Sequence, residues 1–145
     1  MWEVRREREN SFGEYERFDE SGSHFRVLVF ENYVVKIPRD ETNRAKLDEM
    51  EEVQNYLAER VDGILPVERV DDLLVMPRAP GTRADELRDQ WLHIRDLKSD
   101  VHEEVQDHGW VILDIGTSDI FSDAADEQVY LVDFSQIKPY EDVFG

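Results

Sequence analysis

Three charged residues interrupt apolar segments of the sequence where a hydrophobic side chain would be expected. Lys36 lies within a β-branched run, and Asp114 and Asp133 each follow four consecutive apolar residues. A carboxylate at the end of a buried strand loses hydration unless a cation or a hydrogen-bond donor meets it. Together with Asp119, these acids offer the oxygen ligands that Mg²⁺ prefers, and Mg²⁺ commonly shares phosphate oxygens. The residue types therefore indicate cation and phosphate binding, although each one alone also fits a structural role as a turn former or an amine that reaches water.

Short β-branched and aromatic runs predict the strands that would position these residues. The predicted strands cover 25–30, 33–37, 73–76 and 129–132, with weak alternation over 11–18 for a further strand or bend, and Ile64-Leu65 for a short apolar element. Turn-forming residues at 19–23 and 31–32 separate the first three runs, and Pro38 ends the third. This order predicts a three-stranded meander with Lys36 inside its third strand.

Two helical regions follow from apolar residues spaced three or four positions apart. The first is expected to begin at a cap formed by Thr42 or Asn43 and to end near Arg60. Its apolar stripe consists of Leu47, Met50, Val53 and Leu57. The second covers residues 83–108 in one or two helices and ends at Gly109.

The element order predicts an α+β fold with the β-rich part first. We expect a β-rich N-terminal part over 1–81 and a smaller, mostly helical part over 82–145 that carries a hairpin, the two forming one compact domain. The length of 145 residues agrees with one domain.

Composition excludes several classes of function. With 35 acidic and 17 basic residues the net charge is −18, which argues against binding to nucleic acids or anionic membranes. No apolar run is long enough for a membrane helix, so we expect a cytoplasmic protein. Only four of the basic residues are lysines, and this acid-rich, lysine-poor composition resembles the surfaces of proteins from salt-loving organisms or their viruses; an ordinary acidic protein is the alternative.

Cysteine and zinc chemistry are not indicated. The chain has no cysteine. His102, Glu103, Glu104 and His108 lack the H-E-x-x-H spacing, because position 106 is glutamine, so we expect these four side chains to be solvated on a helix.

Several segments, taken in order, resemble the motifs of the protein kinase-like superfamily. They are Val34-Val35-Lys36-Ile37 for the third-strand lysine, 52–67 for the helix glutamate and following strand entry, Leu74-Val75-Met76 with Ala79-Pro80-Gly81 for the strand and hinge, 114–121 for the catalytic loop, and Leu131-Val132-Asp133-Phe134-Ser135 for the D-F-G motif. The resemblance covers roughly residues 11 to 137. It implies a reduced kinase-like fold.

The resemblance also implies roles in phosphoryl transfer, which depends on positioning and charge neutralisation. Lys36 would contact the α- and β-phosphates of ATP and be held by Glu52, with Glu49 as the alternative partner. Asp114 would orient the acceptor hydroxyl and accept its proton.

The same resemblance implies a nucleotide and metal site. Asp133 would bind Mg²⁺, and Asp119 would replace the usual asparagine as a second ligand. Backbone groups around Met76, Pro77 and Ala79 would bond adenine.

The sequence departs from the family at positions that matter for activity. Gly13 and Gly22 do not form a glycine-rich loop, Ile112-Leu113 replaces the His-Arg pair, and Ser135 replaces the D-F-G glycine. The twelve residues from Phe134 to Gly145 leave no room for an activation segment or for helices that seat a peptide.

Three functions therefore remain open. The leading one is ATP- and Mg²⁺-dependent phosphate transfer to a hydroxyl of a protein or small molecule. The second is a catalytically inactive kinase-like module that binds a partner. The third is a small acidic structural or virion-associated protein, for which the motifs would be coincidental.

Overall fold

The structure, a computed structural model, describes residues 17–19, 25–134 and 136–145. Within it the chain divides into two compact units: the first comprises Met1–Val53 and Pro66–Arg78, and the second Gln54–Leu65 and Ala79–Gly145. The predicted strand or bend over 11–16, most of the turn at 19–23, and Gly13, Gly22 and Ser135 lie outside the described residues.

The first unit is built on a five-stranded antiparallel sheet. Its strands are β1 (Arg17–Asp19), β2 (Phe25–Val29), β3 (Tyr33–Pro38), β4 (Glu68–Val70) and β5 (Leu73–Pro77). They lie in the order β1-β2-β3-β5-β4. The meander β2–β3 and strand β5 match the predicted runs closely. The short apolar element at Ile64-Leu65 lies outside the strands, and the next strand, β4, begins at Glu68.

The two faces of this sheet follow from the strand register. Residues directly opposite in antiparallel strands share a face. Val27, Lys36 and Leu74 are opposite one another across β2, β3 and β5, so they form one row on one face. The other face carries a buried apolar cluster of Leu28, Phe30, Val35, Ile37, Leu73 and Val75. Burial on both faces explains why β3 reads as an almost unbroken apolar run.

Two helices follow β3. They are α1 (Glu41–Arg44) and α2 (Leu47–Ala58). The predicted cap at Thr42 or Asn43 is wrong: the Asp40 carboxylate caps α1 by accepting the Asn43 backbone N–H at 2.9 Å and the Asn43 side-chain amide at 3.0 Å. Asn43 is buried, and its side-chain amide donates to this carboxylate instead of capping the helix. The predicted stripe is confirmed, since Leu47, Met50, Val53 and Leu57 are all buried.

Helix α2 protects the edge strand β4 with charged side chains. The outward backbone N–H of Arg69 donates to the Glu51 carboxylate, and the Arg69 guanidinium donates to Asp48. The hydrogen bond to Asp48 raises the pKa of Arg69 above its ordinary value. An edge strand with a free N–H is a pairing hazard, so these contacts both satisfy the strand and fix the N-terminal half of α2.

The second unit combines one long helix with short antiparallel strands. The helices are α3 (Trp91–Asp107) and α4 (Tyr140–Phe144), and the strands are β6 (Thr82–Arg83), β7 (Trp110–Ile112), β8 (Ile120–Asp123), β9 (Gln128–Leu131) and β10 (Ile137–Pro139). Single 3-10 turns occupy Ala84–Glu86, Arg88–Gln90 and Thr117–Asp119. The strands form a two-stranded sheet, β10-β7, and a three-stranded sheet, β6-β8-β9. Helix α3 contacts β7 and β9, and its buried residues are Ile94, Val101 and Val105.

Glycine is required at the junction that begins β6. Gly81 has φ +92°, and a Cβ there would lie 2.1 Å from the backbone oxygen of Ser122. The close pairing of Thr82 with Ser122 depends on this missing side chain. Gly109, with φ +89°, ends α3 as predicted, but a Cβ there would meet no atom within 4 Å.

The α+β class with antiparallel sheets is confirmed, with four α-helices in the described residues. The division into parts over 1–81 and 82–145 stays a prediction. The compact units change between Arg78 and Ala79, and Gln54–Leu65 belongs to the second unit. Among the residues that the structure describes, none of the helices combines the length and the apolar character needed to span a bilayer.

Candidate functional site

Lys36 is the most buried of the charged residues in the predicted site. Its side chain is 9% exposed on the sheet face that it shares with Val27 and Leu74. A lysine amine in such surroundings keeps its charge only where polar or anionic groups meet it. The burial therefore separates Lys36 from a lysine that merely extends to bulk water.

The predicted partners of Lys36 on α2 are solvent-facing. Glu52 and Glu49 are both exposed, whereas Glu51, between them, accepts the Arg69 N–H. The resemblance to the kinase motif implies Glu52 as the partner of Lys36. Within the first unit, the α2 carboxylates that accept hydrogen bonds from Arg69 are Asp48 and Glu51. The sequence signal that could have indicated them is Arg69, the one arginine in the short charged strand β4.

The second unit brings Asp119 and Asp133 onto adjoining backbone segments. Strands β8 and β9 pair with Ile120 opposite Leu131, and the Val132 N–H donates to the Asp119 carbonyl at 3.0 Å. Asp119 thus lies beside the residue that precedes Asp133. Both side chains are half-buried. The Asp119 carboxylate also accepts the Gly116 N–H at 3.1 Å, which closes the 3-10 turn before β8.

Asp114 lies on the loop that leads into this turn. It is exposed and has φ +57°, in the left-handed region that aspartate enters more readily than most residues. The Leu113 N–H, immediately before it, donates to the Gln136 carbonyl at 2.8 Å, and β7 pairs with β10. The segments after Ile112 and after Asp133 are therefore tied together.

A metal cluster made by protein side chains alone is absent from the described residues: no group of three or more His, Asp or Glu side chains there could hold a metal ion. Asp114, Asp119 and Asp133 thus do not form a three-carboxylate cage. Mg²⁺ is usually held by one or two carboxylates plus phosphate oxygens and waters. Asp119 and Asp133 fit that arrangement in ligand type and in the adjacency of their backbones.

The predicted adenine-binding segment, Met76 to Ala79, begins at the end of β5. Met76 and Ala79 are buried and Pro77 is half-buried. The Arg78 N–H donates to the Asn32 carbonyl at 3.0 Å, and the Arg78 guanidinium Nη1 donates to the Phe30 carbonyl at 3.3 Å. The segment is thereby fixed to the turn between β2 and β3.

An open pocket of about 300 Å³ in the second unit contains none of the predicted site residues. It is lined by Ala58, Val61, Asp62, Gly63, Ile64, Asp126, Gln128 and Tyr130. Burial, and then the charges of Asp126, Asp123 and Asp62, raise the pKa of Tyr130 above its ordinary value. No sequence motif indicates this pocket, because its walls come from segments more than sixty residues apart.

The expectation that the histidines of α3 are solvated is corrected by the structure. Glu103 and Glu104 are exposed, but His102 and His108 are half-buried. Burial, with the charge of Lys98, lowers the pKa of His102 below 6.5. His108 lies edge-on to the Tyr56 ring, with 6.4 Å between ring centroids.

Comparison with known proteins gives a likeness of fold. No family model matches the chain, and no curated protein matches its sequence. Among solved structures, the chain is similar to the bifunctional kinase-methyltransferase WbdD, with 17% identity and a TM-score of 0.60. The match covers 88% of this chain and 35% of that chain, so the present sequence spans about a third of its structural neighbour.

Proposed function

We propose that this protein is a reduced kinase-like phosphotransferase that binds ATP with Mg²⁺ and transfers phosphate to a hydroxyl of a protein or small molecule. The observation that carries the proposal is the fold likeness to a bifunctional kinase-methyltransferase over 88% of the chain. A fold by itself does not establish function, so the proposal also depends on the chemistry of particular residues.

The residues of the first unit support the nucleotide part of the proposal. Lys36 is a buried cation in the middle of β3 and would contact the α- and β-phosphates. The segment Met76 to Ala79 would bond adenine through its backbone. Glu52, the proposed partner of Lys36, lies exposed on α2.

The residues of the second unit support the transfer step. Asp133 and Asp119 would hold Mg²⁺, which when bound would neutralise phosphate charge. Asp114 would accept the proton of the acceptor hydroxyl. The hydroxyl oxygen would then bond to the γ-phosphorus while the bond between the γ-phosphorus and the β-phosphate oxygen breaks, which releases ADP. The exposure of Asp114 leaves its carboxylate accessible to an acceptor.

An inactive kinase-like binding module is the second candidate. The replacement of the family's His-Arg pair by Ile112-Leu113 before Asp114 favours it, because that pair belongs to the catalytic loop of active members. This module would bind nucleotide or a protein partner without transferring phosphate.

A transfer assay separates the two candidates. The protein is incubated with radiolabelled ATP and Mg²⁺, and the possible acceptors are the protein's own hydroxyl groups, added hydroxyl-containing peptides and small alcohols. We expect labelled product from the natural sequence and about 100-fold less from Asp114→Asn, since a positioned base contributes about that factor or more. Asp126→Asn, in the exposed turn before β9, is the control and should retain activity. ATP binding without label on any acceptor would establish the inactive module.

A further inference from the structure

We infer that Arg78 is a positioning residue for the nucleobase: it fixes the Met76–Ala79 segment so that Ala79 presents the donor that a purine base would meet. The inference rests on the proposed nucleotide binding and adds to it a residue that no sequence motif indicates. Arg78 touches neither phosphate nor metal in this assignment.

Arg78 makes two contacts with a single turn of the first unit. Its backbone N–H donates to the Asn32 carbonyl at 3.0 Å, and its guanidinium Nη1 donates to the Phe30 carbonyl at 3.3 Å. One residue therefore restrains both the peptide and the side chain at the end of β5. Two bonds from one residue fix an orientation that a single bond would leave free to rotate.

The turn that receives these bonds is itself rigid. The Phe30 side chain is fully buried in the apolar cluster of the sheet, and the Phe30 N–H donates to the Tyr33 carbonyl at 2.8 Å. Neighbouring strands β2 and β3 pair through five opposite residues. Arg78 thus attaches the segment to a well-packed part of the first unit.

The contact also determines which backbone donors the segment can offer. Pro77 and Pro80 have no N–H, and the Arg78 N–H is occupied by Asn32. Over residues 77–80 this leaves the Ala79 N–H as the donor for a base. A base that needs this donor depends on the orientation of the peptide between Arg78 and Ala79, which is the peptide that Arg78 anchors.

The far end of the segment is fixed within the second unit. Gly81 lies so close to the Ser122 carbonyl that a Cβ would stand 2.1 Å from it. Loosening the Arg78 anchor therefore gives freedom to the peptide that carries the Ala79 N–H.

The test compares Arg78→Met, which keeps the aliphatic stem, with Arg78→Lys, which keeps one donor. Arg95→Met is the control, since Arg95 is exposed and its substitution removes the same charge. Binding of Mg·ATP, adenosine and inorganic tripolyphosphate is measured for each folded variant. Arg78→Met loses about one hydrogen bond that positions the segment, so its affinity for Mg·ATP and for adenosine should fall about fivefold. The affinity of Arg78→Lys should fall less. The affinity for tripolyphosphate should be unchanged in both variants. Amide hydrogen exchange at Ala79 should quicken in Arg78→Met alone.

The outcomes separate this inference from the proposed function. If the natural protein binds Mg·ATP but Arg78→Met binds adenosine equally well, the inference is wrong and the proposed function stands. Equal weakening of tripolyphosphate would assign Arg78 to phosphate attraction and would also overturn it. A lower melting temperature with unchanged affinities would show a structural role only. If the natural protein binds none of the three ligands, both the inference and the proposed function fail.

Discussion

Lys36, Asp114 and Asp133 were predictable as residues because each breaks an apolar pattern, but their surroundings were not. The burial of Lys36 depends on the opposite residues Val27 and Leu74, whose register only the folded sheet defines. The adjacency of Asp119 and Asp133 depends on a backbone hydrogen bond from Val132. Local sequence carries no record of either contact.

His102 provides a test at the scale of one titrating group. Burial and Lys98 lower its pKa in the folded state below the ordinary 6.5. Between the two pKa values the unfolded chain binds more protons than the folded one, so the stability contribution is present above about pH 6.5 and is lost as the pH falls through the window below it. We expect this part of the pH dependence of unfolding to disappear in His102→Gln.

His93 supplies the matched control for that measurement, because it lies on the same helix and is exposed. Chemical unfolding between pH 7.5 and 5 should give parallel curves for the natural protein and His93→Gln, and a shallower curve for His102→Gln. A curve for His102→Gln parallel to the other two would contradict the assigned burial of the imidazole.

At the scale of elements, clear apolar patterns were informative. Strands β3 and β5 were predicted from continuous apolar runs, and the stripe of α2 was predicted from apolar residues spaced three or four positions apart. Strand β4, with Glu68 and Arg69, has no such pattern and is a strand only because β5 and α2 satisfy its backbone. The cap at Asp40 was missed because three adjacent polar residues all suit the role, and tertiary burial of Asn43 decides among them.

The junction before β6 yields a prediction about glycine. Gly81→Ala forces a Cβ against the Ser122 carbonyl and should destabilise strongly, whereas Gly109→Ala has open space and should lose only about 1 kcal/mol for the left-handed backbone. Denaturant unfolding of the two variants measures the difference. Equal losses would mean that β6 does not approach Ser122 as described.

The attachment of α2 to β4 yields a second comparison. Glu51→Ala removes the acceptor of the Arg69 N–H and should lower the free energy of unfolding by about 1 kcal/mol. Glu49→Ala, two residues earlier on the same helix and exposed, should change the free energy of unfolding little. The idea that α2 protects this edge would not survive a result in which the two variants are equally stable.

Charge is the property of the whole molecule that most affects its behaviour. The chain has 35 acidic residues and only 17 basic ones, so the excess carboxylates repel one another at low ionic strength. The electrostatic screening length falls from about 10 Å at 0.1 M salt to about 3 Å at 1 M. We expect the melting temperature to rise steadily between 0.1 and 2 M KCl. A melting temperature that is flat or falls over this range would show that repulsion among the acids does not limit stability.

The kinase-like account of the whole chain is tested most directly by titration of ATP with and without Mg²⁺, followed by thermal unfolding in dilute and in molar KCl. A ligand that binds only the folded protein stabilises it by about 2.7 kcal/mol at 100 times its dissociation constant. The account predicts Mg²⁺-dependent stabilisation of the natural protein, marked weakening in Lys36→Met, and none of that weakening in Lys138→Met, where an exposed lysine is removed. No stabilisation by ATP in either salt, or equal stabilisation of both variants, would contradict it.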